Sequence, residues 1–182
     1  MSIVIGDGGG KNPDAKTNGD GRLKVDSESN ARIFTISKDF GEAFNAVMPS
    51  FSAAATEYVF YLKNTSITQN IVIESIEYHS VQAVHWKVWR VTGTAAGGTV
   101  ITPTNLNFNS SNAASATAMG GAATITGLTT VAQIGTHRTQ ATGEAGMTFG
   151  GALILGQNDA IAIEYDTGTT GLCEIDCIFY YE

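Results

Sequence analysis

The chain has 182 residues, of which 10 are Lys or Arg and 17 are Asp or Glu, so its formal net charge is −7. A chain of this length can form one domain with a sizeable core, and its acidic balance argues against nucleic acid or an anionic membrane surface as the main partner. No apolar run approaches the roughly 20 residues of a membrane-spanning helix, and no secretion signal is visible, so we expect synthesis and folding in a cytoplasm.

Residues 1–32 differ in composition from the rest of the chain. The segment is polar and rich in glycine, and its five basic and five acidic residues cancel, so residues 33–182 carry the whole net charge of −7. Such a segment cannot bury enough apolar surface to order itself. The sequence therefore predicts an extended N-terminal arm over residues 1–32, held by a neighbouring subunit, and one domain, the body, over residues 33–182.

The few apolar side chains of the arm fall into two groups, Ile3, Val4 and Ile5 near its start and Leu23 and Val25 in its middle. We predict that both groups add strands to an exposed sheet edge of a neighbouring subunit, with backbone hydrogen bonds supplying the affinity. Fully extended, the arm reaches roughly 100 Å, enough to cross from one subunit to the next. These five residues are the predicted partner-binding residues.

The body shows short alternating apolar runs separated by turn residues, and it has almost no helical periodicity. Strands are predicted, in chain order, at residues 57–63, 70–79, 84–91, 99–108, 123–126, 130–137 and 147–155, then around Ile161, Ile163 and Tyr165, and finally at 172–181. Residues 109–121 are predicted as a loop. About eight short strands indicate an all-β fold, an antiparallel β-sandwich. A jelly roll suits the strand count, and an immunoglobulin-like sandwich is the alternative.

Four details of these strands can be tested. Alternation places Tyr58 with Phe60 and Leu62 on one face of the first strand. A change of phase at residues 74–75 predicts a β-bulge in the second. Trp86 and Trp89 lie on opposite faces of the third, which implies that both faces are covered. A proline at position 103 fits an edge strand or a bend.

Between Thr92 and Gly151 only Arg138 and Glu144 are charged. One interpretation is that this stretch is mostly loop and buried strand. The other is that neighbouring subunits cover it, since charged residues are depleted at interface centres. We therefore predict a homo-oligomer, with a homotrimer as the expected form, in which some of this stretch lies at the subunit contact.

Sequence patterns for catalysis, cofactors or metals are incomplete. Residues 6–11 resemble a phosphate loop but lack its first glycine and its Ser or Thr after the lysine. The three histidines form no recognisable metal or catalytic pattern. Cys173 and Cys177, four residues apart in a strand, would lie roughly 13 Å from each other, too far for a disulfide. We expect free thiols, no cofactor, no metal and no enzyme activity.

Four aromatic residues leave two interpretations open. Trp86, Trp89, Tyr180 and Tyr181 could form a surface on which sugar rings stack. Packing between the sheets is the commoner role of such large side chains.

The layout of the chain resembles the small virion proteins of tailed bacteriophages. The segments that carry this resemblance are residues 3–8, 22–27, 61–64, 71–73, 102–107 and 155–163. The resemblance implies a jelly-roll head decoration, or cement, protein. Such a protein is assembled in the host cytoplasm, lies on the capsid exterior, often as a trimer, and clamps neighbouring major capsid proteins. Similar sandwich domains occur in tails, head fibres and baseplates, so a domain that binds a host receptor or glycan is the alternative function.

Overall fold

The computed structural model describes residues 32–121, 124–167 and 169–182. Within these residues, eleven strands form two antiparallel sheets that pack against each other, which confirms the predicted all-β sandwich. The predicted arm lies outside the described residues except for Arg32, which begins a short helix.

The first described element is an α-helical turn, α1 (Arg32–Thr35), which continues as a π-helical turn over Ile36–Phe40. The strands, in chain order, are β1 (Ala43–Ala53), β2 (Glu57–Asn64), β3 (Ile71–Ser80), β4 (Val84–Ala96), β5 (Thr99–Ile101), β6 (Thr104–Asn105), β7 (Ala116–Gly120), β8 (Thr126–Thr139), β9 (Gly143–Leu155), β10 (Ala160–Asp166) and β11 (Gly171–Tyr181). The strand order is β6-β1-β11-β3-β9 in the five-stranded sheet and β5-β7-β2-β10-β4-β8 in the six-stranded sheet.

The strand pairs are nested about the middle of the chain. β4 pairs with β8, β3 with β9, β2 with β10 and β1 with β11, always antiparallel. Further pairings of β11 with β3 and of β10 with β4 join these pairs into sheets. Because β1, β2, β3 and β4 alternate between the two sheets, each turn between them carries the chain across the core.

Trp86 lies at the centre of the core between the two sheets. Its ring stacks on Tyr78 of the opposite sheet with a centroid distance of 5.1 Å, and it meets the ring of Tyr165 edge-on at 5.3 Å. The indole Nε1 donates a hydrogen bond of 3.1 Å to Oγ1 of Thr139, so its one polar group has a partner although the side chain is fully buried. This contact satisfies the general requirement that buried donors be paired.

Most predicted inner faces are confirmed. The alternating side chains of the last strand all belong to the main core: Cys173, Ile175, Cys177, Phe179 and Tyr181. The predicted bulge in β3 is also present, since its register with β9 shifts between Ile73 and Ser75. Trp86 belongs to the main core and Trp89 packs against a second cluster, so both faces of β4 are partly covered as predicted.

The edge prediction for residues 99–108 is confirmed in a specific form. β5 is an edge strand of the six-stranded sheet and β6 is an edge strand of the five-stranded sheet. Pro103 lies between them, where the chain passes from one sheet to the other.

Three expectations were wrong. The strand predicted at residues 123–126 is absent, since residues 124 and 125 lie outside any strand and β8 begins only at Thr126; residue 123 lies outside the described residues. Tyr58 packs in the second cluster with Tyr61, apart from Phe60 and Leu62, because the register of β2 with β10 shifts at this point. Residues 109–121 are not all loop, since β7 lies between β5 and β2. Apart from Met119 its residues are small, with weak strand propensity, and they form a strand because the neighbouring strands complete their backbone hydrogen bonds.

We expect Thr139→Val to lower the free energy of unfolding by about 1–3 kcal/mol, because the buried Nε1 of Trp86 would lose its acceptor. Thr139→Ser keeps the hydroxyl and is expected to cost only about 0.8 kcal/mol for the missing methyl group. Urea unfolding followed by circular dichroism measures both values. A Val variant as stable as the Ser variant would show that this hydrogen bond contributes nothing.

Candidate docking surface

The two flanks of the sandwich differ in length. On one flank, the edge strands β5 and β6 have 3 and 2 residues. On the other, β8 and β9 have 14 and 13 residues and form the edges of the six-stranded and the five-stranded sheet. Edge strands leave backbone N–H and C=O groups free to associate with another chain. We call the surface formed by β8 and β9 the long flank.

The long flank is nearly free of charge. Arg138 and Glu144 are the only charged residues in β8 and β9, and they have opposite signs. Most side chains of β8 are exposed. The sparsely charged stretch of the sequence therefore includes a large exposed surface, and depletion of charge on such a surface is typical of an interface centre.

Two residues of β8 stand out on this flank. The register of β8 with β4 shifts at two places in its middle, and each shift leaves one β8 residue without a partner, Ile134 at the first and Val131 at the second. Val131 is 53% exposed and Ile134 is 37% exposed, and neither belongs to a core cluster. Bulges interrupt a ladder, and at these two positions β8 carries apolar side chains at the surface of a strand whose only charged residue is Arg138.

A concavity of about 760 Å³ lies on the outer face of the five-stranded sheet. Its lining includes His79 and the carboxylates Glu77, Glu144, Glu174 and Asp176. His79 pairs in register with Glu174 on one side and Glu144 on the other, and its Nδ1 is 3.9 Å from Oε2 of Glu174. Burial, and then repulsion from Glu77 and Glu174, raises the pKa of Asp176. The concavity is therefore a region of concentrated negative charge.

Neither a metal centre nor a membrane-spanning helix is found in the described residues. Among them, no group of three or more His, Cys, Asp or Glu side chains is arranged to hold a metal ion. In the same portion of the chain, no helix is long and apolar enough to cross a membrane.

A third surface surrounds the helical segment that begins at Arg32. The side chains of Asn105, Asn107 and Asn112 each donate a hydrogen bond to a main-chain carbonyl at the end of this segment, with lengths of 2.7, 2.9 and 3.0 Å. These contacts fasten the segment to the chain that follows β6. The exposed apolar side chains here are Phe34, Phe40, Leu106 and Phe108.

The aromatic residues considered for sugar stacking do not form a surface. Trp86, Tyr180 and Tyr181 are buried. Trp89 is half-buried, and its Nε1 donates a hydrogen bond of 2.6 Å to Oε2 of Glu164. Their large apolar area is used in packing, so the sugar-stacking interpretation of these four residues was wrong.

The two cysteines lie in the core. Cys173 and Cys177 are free and buried. Burial raises the pKa of the Cys173 thiol to about 12 and that of the Cys177 thiol as well. Both thiols therefore stay protonated at neutral pH, which suits a packing role in the core.

The predicted partner-binding residues Ile3, Val4, Ile5, Leu23 and Val25 lie outside the described residues, and their role stays a prediction. Val131 and Ile134 were missed by the sequence analysis as individual residues. The scarcity of charge around them was the available signal, and it identified the stretch without identifying the two side chains.

Comparisons of the chain with protein-family models, with curated proteins and with solved structures found no match.

Asp176→Asn is expected to raise the free energy of unfolding at about pH 7, because burial and neighbouring carboxylates disfavour the charged form of Asp176. Its raised pKa means that the native state binds this proton more tightly than the unfolded chain. The penalty is therefore complete above the native pKa and vanishes below the ordinary value of 3.8.

Urea unfolding of both proteins at about pH 7 and about pH 3 measures this effect, with the acidic condition as the control. The variant should be more stable only at the higher pH. An equal difference at both pH values would mean that the amide acts through packing, and the charge argument would be wrong.

Proposed function

We propose that the chain is a structural component of a virus particle, a decoration or cement protein that binds the major capsid protein of a tailed bacteriophage and stabilises the shell from outside. The observation that carries this proposal is the long flank, an extended edge with only two charged residues on an otherwise acidic body. Surfaces of this kind are used for association with other protein subunits. The resemblance of the sequence to cement proteins supports the same assignment.

Strand order supports a jelly roll as the finer description of the fold. Leaving aside the short strands β5, β6 and β7, eight strands remain in the orders β1-β11-β3-β9 and β2-β10-β4-β8. These orders correspond to one long antiparallel ribbon, closed at β4 and β8 and rolled into two four-stranded sheets. An eight-stranded double sheet of this kind is typical of capsid jelly rolls.

The arm supplies the proposed attachment to the shell. Its two apolar groups would add strands to a neighbour's sheet edge, and its glycines would allow close approach between them. A homotrimeric body would present three arms at once, so that attachment gains from avidity without new contacts. Stabilisation of the shell then comes from tethering adjacent capsid subunits.

The alternative, a fibre or baseplate domain that binds a receptor or glycan, loses the feature that motivated it. Trp86, Tyr180 and Tyr181 are in the core and cannot stack on a sugar.

Capsids provide the direct test of the proposed function. Particles banded in a density gradient from the virus that encodes this chain should contain it in a fixed ratio to the major capsid protein. Removing the gene should yield particles that break at lower temperature, and adding the purified chain should restore their stability. Banded particles that lack the chain would overturn the proposal.

Deletion of residues 1–31 tests the role of the arm. The remaining chain should fold and self-associate like the full chain, since the eleven strands and the core clusters that the structure describes all lie within residues 32–182. It should bind capsids that lack the protein at least about 100-fold more weakly, because tethering by several arms multiplies affinity. Cosedimentation with capsids measures binding, and circular dichroism checks the fold. Equal binding by the truncated chain would show that the arm is not the attachment.

A further inference from the structure

We infer that Val131 and Ile134, the two bulged residues of β8, form the centre of the contact between copies of this chain. The inference deepens the proposed function, which rests on a self-associating body, and it adds the residues and the nature of the contact. It places the subunit contact on the long flank and makes it a contact of side chains.

Charge determines which partner suits this surface. The body carries a net charge of −7, so two copies repel each other wherever their carboxylates face. On the acidic concavity, a second copy would bring its own Glu77, Glu174 and Asp176 near the same groups. On the long flank, Arg138 and Glu144 sum to zero, and Glu144 also lines the concavity. Residues 126–136 of β8, which include Val131 and Ile134, carry no charged side chain, so a second copy can approach there without like-charge repulsion.

A basic partner would be directed elsewhere. Complementary charge attracts partners and sets their position, and four carboxylates of this body line one concavity on the outer face of the five-stranded sheet. The long flank offers such a partner no advantage. A neutral surface on a strongly acidic protein therefore favours another copy of the same protein as the occupant.

The two bulges of β8 favour a contact made by side chains over one made by strand addition. A regular edge strand would invite strand addition through its backbone, and bulges are one of the devices that prevent it. The two bulges of β8 interrupt its ladder with β4 at Val131 and Ile134, and both side chains are exposed. The surface is thus poorly suited to strand addition and well suited to insertion of two apolar side chains into a neighbour.

β9 supports this region of β8 from the core side. Gly135, the residue after Ile134, lies so close to Met147 of β9 that a Cβ added to it would be 3.3 Å from the methionine methyl carbon. Met147 itself packs against the main core. The backbone of β8 beside Ile134 is therefore held by packing before any partner binds, which lowers the ordering cost of binding at this point.

The double variant Val131→Glu/Ile134→Glu tests the inference. In the full chain, sedimentation velocity should show an oligomer for the unchanged protein and a monomer for the variant. Weakening of the association by at least roughly 30-fold is expected, the effect of losing an interface hot spot. Circular dichroism should be unchanged, since both side chains lie outside the core clusters.

Val100→Glu is the matched control. Val100 is 72% exposed and lies on β5, the opposite edge of the same sheet, so the charge change is of the same kind and the place differs. This variant should self-associate like the unchanged protein. If the glutamates disturb folding, Val131→Thr/Ile134→Thr, which keeps β-branched side chains and removes apolar surface, should weaken association in the same direction.

Three results would overturn the inference. The first is an unchanged protein that is monomeric at about 100 µM, a concentration at which weak contacts of this kind still form. The others are variants at positions 131 and 134 that associate normally, or a Val100 variant that dissociates as much as they do. The proposed function fails separately. A chain that self-associates through β8 but is absent from capsids would contradict only the cement role, and a capsid-bound chain whose β8 variants still associate would contradict only this inference.

Discussion

The stacking of Trp86 on Tyr78 is the contact on which the rest of the sandwich depends. The two rings come from β4 and β3, consecutive strands in different sheets, so one short connection brings the sheets together at their centre. The same two strands pair with β8 and β9. His137 of β8 also stacks against Tyr78, with a centroid distance of 6.4 Å. The interior stack therefore sets the relative position of the two strands that form the exposed long flank.

Local alternation was enough to predict much of this fold. The inner faces of β10 and β11 could be assigned from the sequence because side chains of period 2 reveal a buried face without knowledge of the partner strand. The bulge before Ser75 was visible because the change of phase occurs within a single strand. β7 and the displacement of Tyr58 were not visible, since both depend on the strands that lie beside them. Information about pairing is non-local and is absent from a short window of sequence.

The candidate docking surface, too, could be predicted from the sequence only in part. Scarcity of charge is a property of composition, and it located the stretch that contains the long flank. Val131 and Ile134 are the residues that the register with β4 leaves without partners, and no pattern within β8 encodes that register. The sugar-stacking interpretation was wrong because it relied on residue type alone, without knowledge of burial. Trp86 and Tyr181 look suited to binding, yet the area that makes an aromatic ring a good ligand platform also makes it the most favourable side chain to bury.

The pairing of β1 with β11 has a mechanical consequence. Ala43 at the start of β1 lies opposite Tyr180 near the end of β11, and Arg32 forms an ion pair with Glu182. Tension applied between these two ends pulls on adjacent points of one antiparallel pair, so its hydrogen bonds would break in succession, as in a zipper. Tension shared along a strand would instead have to break several together. A pull on residue 32 alone, resisted at β9, is instead transmitted from β1 through β11 and β3 to β9, all within one sheet, and does not draw the two chain ends apart from each other. Under load, the place where the molecule is anchored thus decides whether β1 separates from β11 one hydrogen bond at a time or the sheet resists as a unit.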